Sequence, residues 1–441
     1  MNYPRVLILG ETFRSNGGGG ITLTNLFRDW PSENIGVITE HIEETNPQTN
    51  YRYYQLGSEE IKFPFPFNFV QTYFQSGPYH FYFDNKPNDS NEYKKSIAIK
   101  IKRNIRPFFD KILTLTGLLS FFYSIKISES LKKWILDFRP DIIYMQPFHH
   151  RIMRFGNSLY KEFKIPYAIH IMDDSVKYIN KSIVLRKLLQ LHIEKDFEKL
   201  ICHAKVHLCI SEAMSDEYTR RYGKIFLPFR NPVDVDHWLP YQKENMGANS
   251  ERLKIIYTGR LFSPTLFSLI DMCRVVDELN RKSRMVDLHI YTYDINPTFF
   301  KSIQQLQGIS IYQPVDFRDM PQLIQLYDIF FICLDFDKQA QNYSQFSIST
   351  RTSEGMISAV PVLVYAPANS AMLKYFEKTE SGCLVKERNS VQLENAILKI
   401  WNDTAYTERI SRNAVRTALS DSNSAIVREE FRKTLATVEN E

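Results

Sequence analysis

Short apolar runs alternate with longer amphipathic stretches along most of the chain. The runs of the first half are VLILG, NIGVIT, DIIYMQP, YAIHIM, VHLCIS and FLPF, and those of the second half are KIIYTGR, VDLHIYTY, GISIYQP, YDIFFICL and PVLVYAP. Stretches such as LFSLIDMCRVVDELNRK and VQLENAILKIWND have the apolar spacing of helices. Buried strands that alternate with amphipathic helices indicate βαβ units and parallel sheets. The pattern therefore predicts an α/β protein.

The alternation stops at about residue 233 and restarts with a new strand after residue 252. The stretch between them, VDVDHWLPYQKENMGANSER, is rich in polar residues and contains a proline and a glycine. A chain of 441 residues is also longer than one hydrophobic core usually supports. We therefore predict a domain at 1–232, a linker at 233–252, a domain at 253–420 and a C-terminal helix at 421–441. Whether that helix crosses back to the N-terminal domain is left open by the sequence.

Composition narrows the class of protein. The chain is 44% hydrophobic and 24% charged, as an ordinary folded protein is. A net charge of +5 over this length is too mild to argue for nucleic acid. The five cysteines are odd in number and show neither CxxC nor Cys/His spacing, which argues against a disulfide framework and a structural zinc. The first twenty residues lack the features of a secretory signal. We expect a cytoplasmic protein.

Four consecutive glycines, Gly17 to Gly20, follow the first predicted strand and precede a helical stretch, ITLTNLF. Ligands of open α/β sheets bind at the carboxyl ends of the strands, where this run lies. The run lacks the Lys-Ser/Thr of a P-loop and the spacing of the dinucleotide fingerprint. We therefore expect Gly18 and Gly19 to form a bare surface that a ligand approaches closely. A flexible loop without a ligand is the alternative.

The segment STRTSEGMISAVPVLVYAP, at 349–367, predicts a short helix followed by a buried strand. Glu354 then lies in the first turns of a helix at the ligand-binding edge of a sheet. A carboxylate there can accept two hydrogen bonds from a ribose, while the helix N–H groups face phosphate. The alternative is a glutamate that is favoured only by the helix macrodipole.

Four blocks of the chain resemble, in the same order, the GT-B glycosyltransferases, and in particular their large retaining family that uses nucleotide sugars (glycosyltransferase family 4-like, "group 1"). The blocks are ISEAMSDEYTRRYG with NPVDVDHWLP, then IYTGRL at 256–261, SEGMISAVPVL, and SGCLVKERNSVQLENAILKIWND. The third resembles the family's EAMACGxPVI. The resemblance implies the GT-B fold, in which two Rossmann-like doubly wound domains face a central cleft. It places the donor mainly on the C-terminal domain and the acceptor on the N-terminal one.

The resemblance assigns roles to residues of the donor site. It puts Glu354 on the acid that binds the donor ribose and places Gly259 and Arg260 at the donor diphosphate. The family's second glutamate is replaced here by Phe346, and the lysine that usually follows GRL is missing. Arg351 lies one turn from Glu354 and can replace that lysine, because a guanidinium forms a fork to phosphate oxygens. Near these groups, the glycine run would let backbone approach the sugar diphosphate.

Candidate catalytic groups of the N-terminal domain lie in IPYAIHIMDDS. Members of the family often carry a histidine, sometimes with an acid, at this edge, so His170, Asp173 and Asp174 are predicted to position or deprotonate an acceptor hydroxyl. The alternative is that DDS caps the following helix. His149 and His150, after the preceding strand, are a second and lower-ranked set.

No metal or cofactor is expected beyond the nucleotide-sugar co-substrate. A GT-B-like site can offset the charge of the leaving diphosphate with helix N–H groups and arginine. Asp335-Phe336-Asp337 has the spelling of a DxD motif, but it follows an apolar strand and is expected to form a strand-end loop.

A basic segment at 94–111, KKSIAIKIKRNIRPFFDK, carries seven Lys or Arg and one Asp, and the apolar stretch ILTLTGLLSFFYSI follows it. That stretch is shorter than the ~20 residues that span a bilayer. Contact of 94–125 with anionic lipid, on the inner face of the plasma membrane, is one interpretation. A buried helix flanked by solvated lysines is the other. No nucleic-acid recognition motif accompanies the charge.

These features predict a glycosyltransferase that moves a sugar from a nucleotide-diphosphate sugar to a glycan or lipid-linked glycan in cell-surface polysaccharide assembly. The resemblance favours a retaining enzyme, although the residues do not determine the stereochemistry. A GT-B-type nucleotide-sugar epimerase and a catalytically degenerate binding or scaffold protein are the alternatives. The donor base, the sugar, the linkage and the oligomeric state are not determined by the sequence.

Overall fold

The computed structural model describes residues 3–14, 18–40, 42, 50–62, 75–79, 124–174, 176, 186–244, 251–262, 264–283, 285–294 and 296–437. Gly17 and most of the basic and apolar segment 94–125 lie outside these residues, so the prediction of membrane contact stays a prediction. Among the helices that the structure describes, none has the length and apolar character needed to cross a membrane.

An eight-stranded sheet organises the first lobe. Its strand order is β10-β9-β8-β7-β1-β2-β3-β5, and all neighbours are parallel except β3 and β5. A short antiparallel ribbon of β4 and β6 lies apart from it. The strands are β1 Val6–Leu9, β2 Ile35–Thr39, β3 Arg52–Gln55, β4 Ile61–Lys62, β5 Gly77–Tyr79, β6 Ser124–Ile125, β7 Ile142–Met145, β8 Tyr167–Ile171, β9 Ala204–Cys209 and β10 Leu227–Pro228.

Helices cover both faces of this sheet because its strands are apolar on both sides. Along β1, Val6 and Ile8 enter one apolar cluster and Leu7 and Leu9 enter the other, as the two-residue period of a strand requires. The helices of this lobe are α1 Gly18–Leu26, α2 Glu129–Phe138, α3 His150–Phe163, α4 Arg186–His203 and α5 Glu212–Tyr222.

The second lobe is built on a six-stranded parallel sheet of order β13-β12-β11-β14-β15-β16. Its strands are β11 Leu253–Thr258, β12 Val286–Tyr291, β13 Ile309–Tyr312, β14 Ile329–Cys333, β15 Val362–Tyr365 and β16 Cys383–Val385. Its helices, together with α6 in the connection, are α6 Val235–Trp238, α7 Leu266–Arg281, α8 Pro297–Ile303, α9 Met320–Ile324, α10 Lys338–Ser344, α11 Arg351–Ile357, α12 Ala371–Thr379, α13 Ser390–Asn402 and α14 Thr404–Asp421. The predicted α/β class with two parallel sheets is confirmed.

The last helix, α15 Ser424–Ala436, packs on the first lobe. Phe431 of this helix is fully buried, and its ring centre lies 5.1 Å from that of Phe27 and 5.9 Å from that of Tyr144. Arg428 adds an ion pair with Asp29 at 2.9 Å. The C-terminus is therefore part of the first lobe's core.

The chain passes between the lobes twice, and the two passages lie side by side. The backbone N–H of Val233 donates to the carbonyl of Ser422 at 2.8 Å, and the N–H of Ser424 donates to the carbonyl of Val233 at 2.9 Å. These bonds form an isolated parallel bridge between Val233 and Asn423. The two sheets fall at 6–228 and 253–385, on either side of the predicted linker.

Candidate active site in the cleft between the lobes

A cleft of about 860 Å³ lies between the two lobes. Residues that follow β1, β2, β7 and β8 form one wall, and residues that follow β11 and β14 form the other. Parallel strands end at the same edge of a sheet, so polar residues at several strand ends meet there.

The structure brings most of the predicted site residues to this cleft. Six of the nine line it: Gly18, Gly19, Asp173, Gly259, Arg260 and Arg351. Three are absent from its lining: His170, Asp174 and Glu354.

Arg260 lies at the rim of the cleft, in a loop that is fixed by hydrogen bonds. The hydroxyl of Tyr257 donates to the carbonyl of Arg260 at 2.9 Å, and the N–H of Leu261 donates to Asp294 at 2.6 Å. The Arg260 side chain itself is 64% exposed, with Nε 3.5 Å from the Asp294 carboxylate. Exposed ion pairs of this kind are weak, so the guanidinium can turn to an anionic ligand at little cost.

Arg351 and Glu354 form an ion pair at the beginning of α11. Arg351 Nη1 donates to Glu354 Oε2 at 2.6 Å, and the Glu354 side chain is 11% exposed. Arg351 lines the cleft and Glu354 does not, so the predicted ribose acid lies one ion pair away from the cleft lining. In this arrangement Glu354 fixes the direction of the arginine fork.

Asp173 connects the two walls of the cleft. It lies just beyond β8 on the first lobe, and its carboxylate accepts a hydrogen bond of 2.7 Å from the hydroxyl of Ser347 on the second lobe. The carbonyl of Phe346, next in the same loop, accepts from Ser211 of the first lobe at 2.5 Å.

His170 does not reach the cleft, and the prediction that it contacts the reacting groups is corrected here. Its side chain is fully buried, and Nε2 donates to the carbonyl of Phe229 at 3.1 Å. Nδ1 must then accept from the hydroxyl of Tyr144, at 2.6 Å. Burial lowers the pKa of His170 to about 4, so the ring is neutral. His170 lies within β8, which is buried on both faces, whereas Met172 and Asp173 lie beyond the end of the strand and line the cleft.

Asp174 is also a structural residue rather than a cleft group, which corrects its predicted catalytic role. It is 3% exposed and accepts hydrogen bonds from the hydroxyl of Tyr218 at 2.8 Å and from Arg221 at 2.9 Å. Of the lower-ranked histidine pair, His149 lines the cleft. His150 points away to Asp196 at 2.9 Å, and burial lowers its pKa.

The hydrogen bonds behind His170 extend to Gln146, whose side chain packs beside Gly19. Gln146 donates from Nε2 to the hydroxyl of Tyr144 at 3.2 Å. A Cβ atom on Gly19 would lie 2.8 Å from Gln146 Oε1 and 2.8 Å from Glu11 Oε2, closer than real Cβ contacts. A Cβ on Gly18 would meet only Thr350, at an ordinary 3.6 Å. Close packing against the wall of the cleft therefore accounts for the glycine at position 19.

Four charged residues of the acceptor-side wall were missed by the sequence analysis. Arg14 pairs with Glu11 at 3.0 Å, and Arg151 pairs with Glu40 at 3.0 Å, and all four line the cleft. The available signal was their position in the few residues that follow the strands VLILG, NIGVIT and DIIYM, where ligand-contacting side chains gather.

The DxD-like segment, residues 335–337, forms the strand-end loop that the sequence predicts. Asp335 is 1% exposed and accepts from the N–H of Ser268 at 2.7 Å, while Asp337 caps α10 by accepting from the N–H of Gln339 at 2.9 Å. Within the described ranges, no group of three or more His, Cys, Asp or Glu side chains is arranged to hold a metal ion.

Phe346 occupies the position of the family's second glutamate, but its ring is directed to the first lobe. It packs against the apolar cluster of that lobe, with the Arg221 guanidinium 5.4 Å from its ring centre. The substitution therefore replaces a predicted sugar contact with a contact between the lobes.

Comparisons with known proteins identify the fold. No family model and no curated protein matches the sequence. Sucrose-phosphate synthase from Thermosynechococcus elongatus is similar in structure, with a TM-score of 0.61, 12% identity and full coverage of both chains. HepE from Anabaena, solved with UDP and glucose, has a TM-score of 0.61 and 12% identity over 98% of this chain and 100% of its own.

The catalytic domain of starch synthase IV from Arabidopsis thaliana, solved with ADP and acarbose, has a TM-score of 0.59 and 12% identity, again with full coverage of both chains. These matches extend over both lobes and the cleft between them. The predicted fold class is confirmed, and the chain has the GT-B fold of nucleotide-sugar glycosyltransferases.

Proposed function

We propose that the chain is a glycosyltransferase that moves a sugar from a nucleotide-diphosphate sugar to a glycan or lipid-linked glycan acceptor in the assembly of a cell-surface polysaccharide. One observation carries the proposal. The cleft has two arginines, Arg260 and Arg351, on the wall of the second lobe, and the backbone of Gly18 and Gly19 on the wall of the first. UDP and ADP in the solved complexes of the similar proteins support a nucleotide donor.

The donor side of the proposal rests on charge. Negative charge develops on the departing diphosphate as the glycosidic bond breaks, and guanidinium groups fixed in position stabilise it. Arg351 can offer a fork to phosphate oxygens because Glu354 holds its orientation. Oε1 of Glu354 is the atom that we propose accepts from a ribose hydroxyl. Arg260 would bind from the rim of the cleft. These cations make a metal ion unnecessary in the proposed reaction.

The acceptor side rests on carboxylates of the first lobe. Glu11 and Asp173 both line the cleft and can accept hydrogen bonds from acceptor hydroxyls. We propose that they orient the attacking hydroxyl, with retention of the anomeric configuration. Closure of the lobes over the donor would exclude water and limit its hydrolysis.

The test begins with calorimetry on UDP, GDP and ADP, followed by a screen of nucleotide sugars for release of the nucleotide diphosphate. We expect one nucleotide to bind and its sugar to be hydrolysed slowly without acceptor, with EDTA causing no loss. Absence of heat with every nucleotide would indicate a scaffold. A donor whose sugar is recovered with inverted configuration at one carbon would indicate an epimerase.

The variants Arg260→Ala and Arg351→Ala test whether these two side chains bind the donor diphosphate, apart from any effect on the fold. Each is expected to lower kcat/KM for donor hydrolysis by roughly 100-fold, the effect of removing one positioned charge donor. Arg412→Ala is the matched control, because that arginine is 65% exposed on α14 and pairs with Glu408 one turn away on the same helix. Full turnover by Arg260→Ala would contradict its assignment to the diphosphate.

A further inference from the structure

A second concave surface lies on the first lobe, between α3 and α4, and encloses about 400 Å³. Four cationic side chains line it: Arg154, Lys161, Lys164 and Lys199. Of the described residues that line it, Asp196 alone is acidic. We call this surface the α3–α4 groove.

The sequence positions of these residues explain why they converge. Arg154, Ser158 and Lys161 are spaced by four and three residues on α3, so they share one face of that helix. Asp196, Lys199 and His203 are spaced in the same way on α4. The two polar faces meet because α3 and α4 pack beside each other on the sheet.

Ordinary helix electrostatics accounts for only part of this charge. The macrodipole favours Lys161 and Lys164 at the C-terminal end of α3. It gives no reason for Arg154, which lies in the second turn of the same helix. Lys199 approaches the groove from the other helix. The convergence of all four on one concavity therefore needs another explanation.

The one acid of the groove is already engaged. Asp196 accepts from Lys199 at 3.1 Å and is 2.9 Å from His150 Nε2. Its backbone carbonyl accepts from the Asn157 amide at 3.0 Å. With four cationic side chains and one carboxylate, the described lining of the groove has a net charge of +3.

Aromatic contacts hold one side of the groove in place. The rings of Tyr160 and His203 stack with centroids 4.4 Å apart and an interplanar angle of 16°. Lys164 Nζ lies 5.2 Å from the centre of the Tyr160 ring, a cation–π distance. The groove therefore presents its cations on a packed surface.

We propose that the α3–α4 groove binds the phosphate group of a phosphomonoester or phosphodiester. Ammonium and guanidinium groups that approach from two helices suit the several oxygens of one phosphate, and the volume suits a small ligand. The site is distinct from the cleft, since none of the described residues that line the groove also lines the cleft. It does not depend on the proposed function.

The experiment uses the full chain and two phosphate sources. Inorganic phosphate and pyrophosphate are titrated by calorimetry, and vesicles of phosphatidylcholine with and without phosphatidylglycerol are tested by sedimentation. The double variant Lys161→Glu with Lys164→Glu reverses charge in the groove. Lys374→Glu with Lys378→Glu, on exposed positions of α12, changes the net charge equally on the other lobe.

We expect the native chain and the α12 control to bind at least one of the phosphate probes with equal affinity. The groove variant is expected to bind it at least roughly tenfold more weakly, because it has lost charge-assisted contacts. Binding to soluble phosphate identifies a soluble ligand, and binding only to the anionic vesicles identifies a lipid headgroup. Circular dichroism checks the fold, and Lys161→Gln with Lys164→Gln replaces the reversal if it unfolds. No binding of either probe, or equal binding by groove variant and control, would overturn the proposal.

Discussion

At Gly19, three side chains of the first lobe leave little room for a Cβ atom. Gly19→Ala would force a methyl group against Gln146 Oε1, Glu11 Oε2 and the Phe148 ring, all within 2.9 Å of its Cβ. These three atoms are the far ends of side chains that can shift, so the cost of overpacking is expected at the low end of its usual range, about 1 kcal/mol. We expect the free energy of unfolding in urea to be lower than that of Gly18→Ala by that amount, and KM for the acceptor to rise, because Glu11 must move.

Gly18→Ala is the matched control for that substitution. Its Cβ would make one ordinary contact, at 3.6 Å with Thr350, and it lies in the same turn of α1. If the two alanine variants were equally stable, close packing at position 19 would not be the reason for its glycine.

His170 makes stability depend on pH although it does not touch the cleft. Its pKa is about 4 in the folded chain and 6.5 when unperturbed, because burial disfavours the charged ring. The unfolded chain therefore binds a proton first as the pH falls, and stability is lost between about pH 6.5 and pH 4. The shift corresponds to roughly 3 kcal/mol at full extent.

The measurement is thermal or urea unfolding of the native chain and of His170→Asn between pH 7 and pH 4.5. We expect the native chain to lose more stability over this range than the variant does. His192→Asn, on an exposed position of α4, is the control for the loss of a histidine that is not buried. Parallel curves for native chain and His170→Asn would show that His170 does not titrate as its burial requires.

At the scale of elements, the segment between α10 and α11 connects the two lobes at the cleft. Ser347 donates to Asp173, and the Phe346 ring packs on the apolar cluster of the first lobe. At its end, the Asn231 amide donates to the carbonyl of Thr350 at 3.3 Å. The loop leads directly into α11, so its position sets that of Arg351.

Ser347→Ala tests this connection. Loss of a hydrogen bond to a carboxylate is worth about 1.5–3 kcal/mol, so we expect the closed arrangement to be less populated and KM for the donor to rise roughly tenfold. Small-angle scattering with and without nucleotide should show a more open average shape. Ser302→Ala is the control, because its hydroxyl donates within α8 to the Thr298 carbonyl. An unchanged KM would show that the contact does not contribute to donor binding.

Elements were easier to predict from this sequence than the direction of single side chains. The apolar runs VLILG and PVLVYAP predict β1 and β15 correctly, because a strand that is buried on both faces is a continuous apolar run and can be recognised from its own sequence. The prediction for His170 is wrong because β8 is buried on both faces. Its sequence therefore has no alternation of polar and apolar residues that would show which side chains reach the cleft. The sequence alone does not show that Glu11 and Arg14 line a cleft, because the cleft exists only between the two folded lobes.

Local geometry can also persist when the residue that usually provides it changes. In the block SEGMISAVPVL, Ala359 stands where the family pattern EAMACGxPVI has glycine, and it still adopts φ of 62°. The left-handed conformation is therefore set by the packing of α11 and β15 around a fully buried residue. Sequence comparison alone would have marked this position as a departure.

For the whole molecule, α15 is expected to stabilise the first lobe from the far end of the chain. Phe431→Ala removes a fully buried ring that contacts Phe27, Trp30 and Phe229, and such truncations cost about 3–5 kcal/mol. We expect a corresponding loss in urea unfolding of the first lobe. Ile426→Ala, on the same helix and 46% exposed, should change stability little. Equal effects would mean that α15 does not contribute to the core.

The bridge between Val233 and Asn423 limits how the two lobes can move. Both covalent connections between the lobes pass through this bridge, so each lobe can only rotate relative to the other about an axis near it. Atoms far from the axis then move farther than atoms close to it. A disulfide engineered between positions 233 and 423 should consequently leave ligand exchange intact. One engineered between positions 173 and 347 should trap whatever the cleft contains.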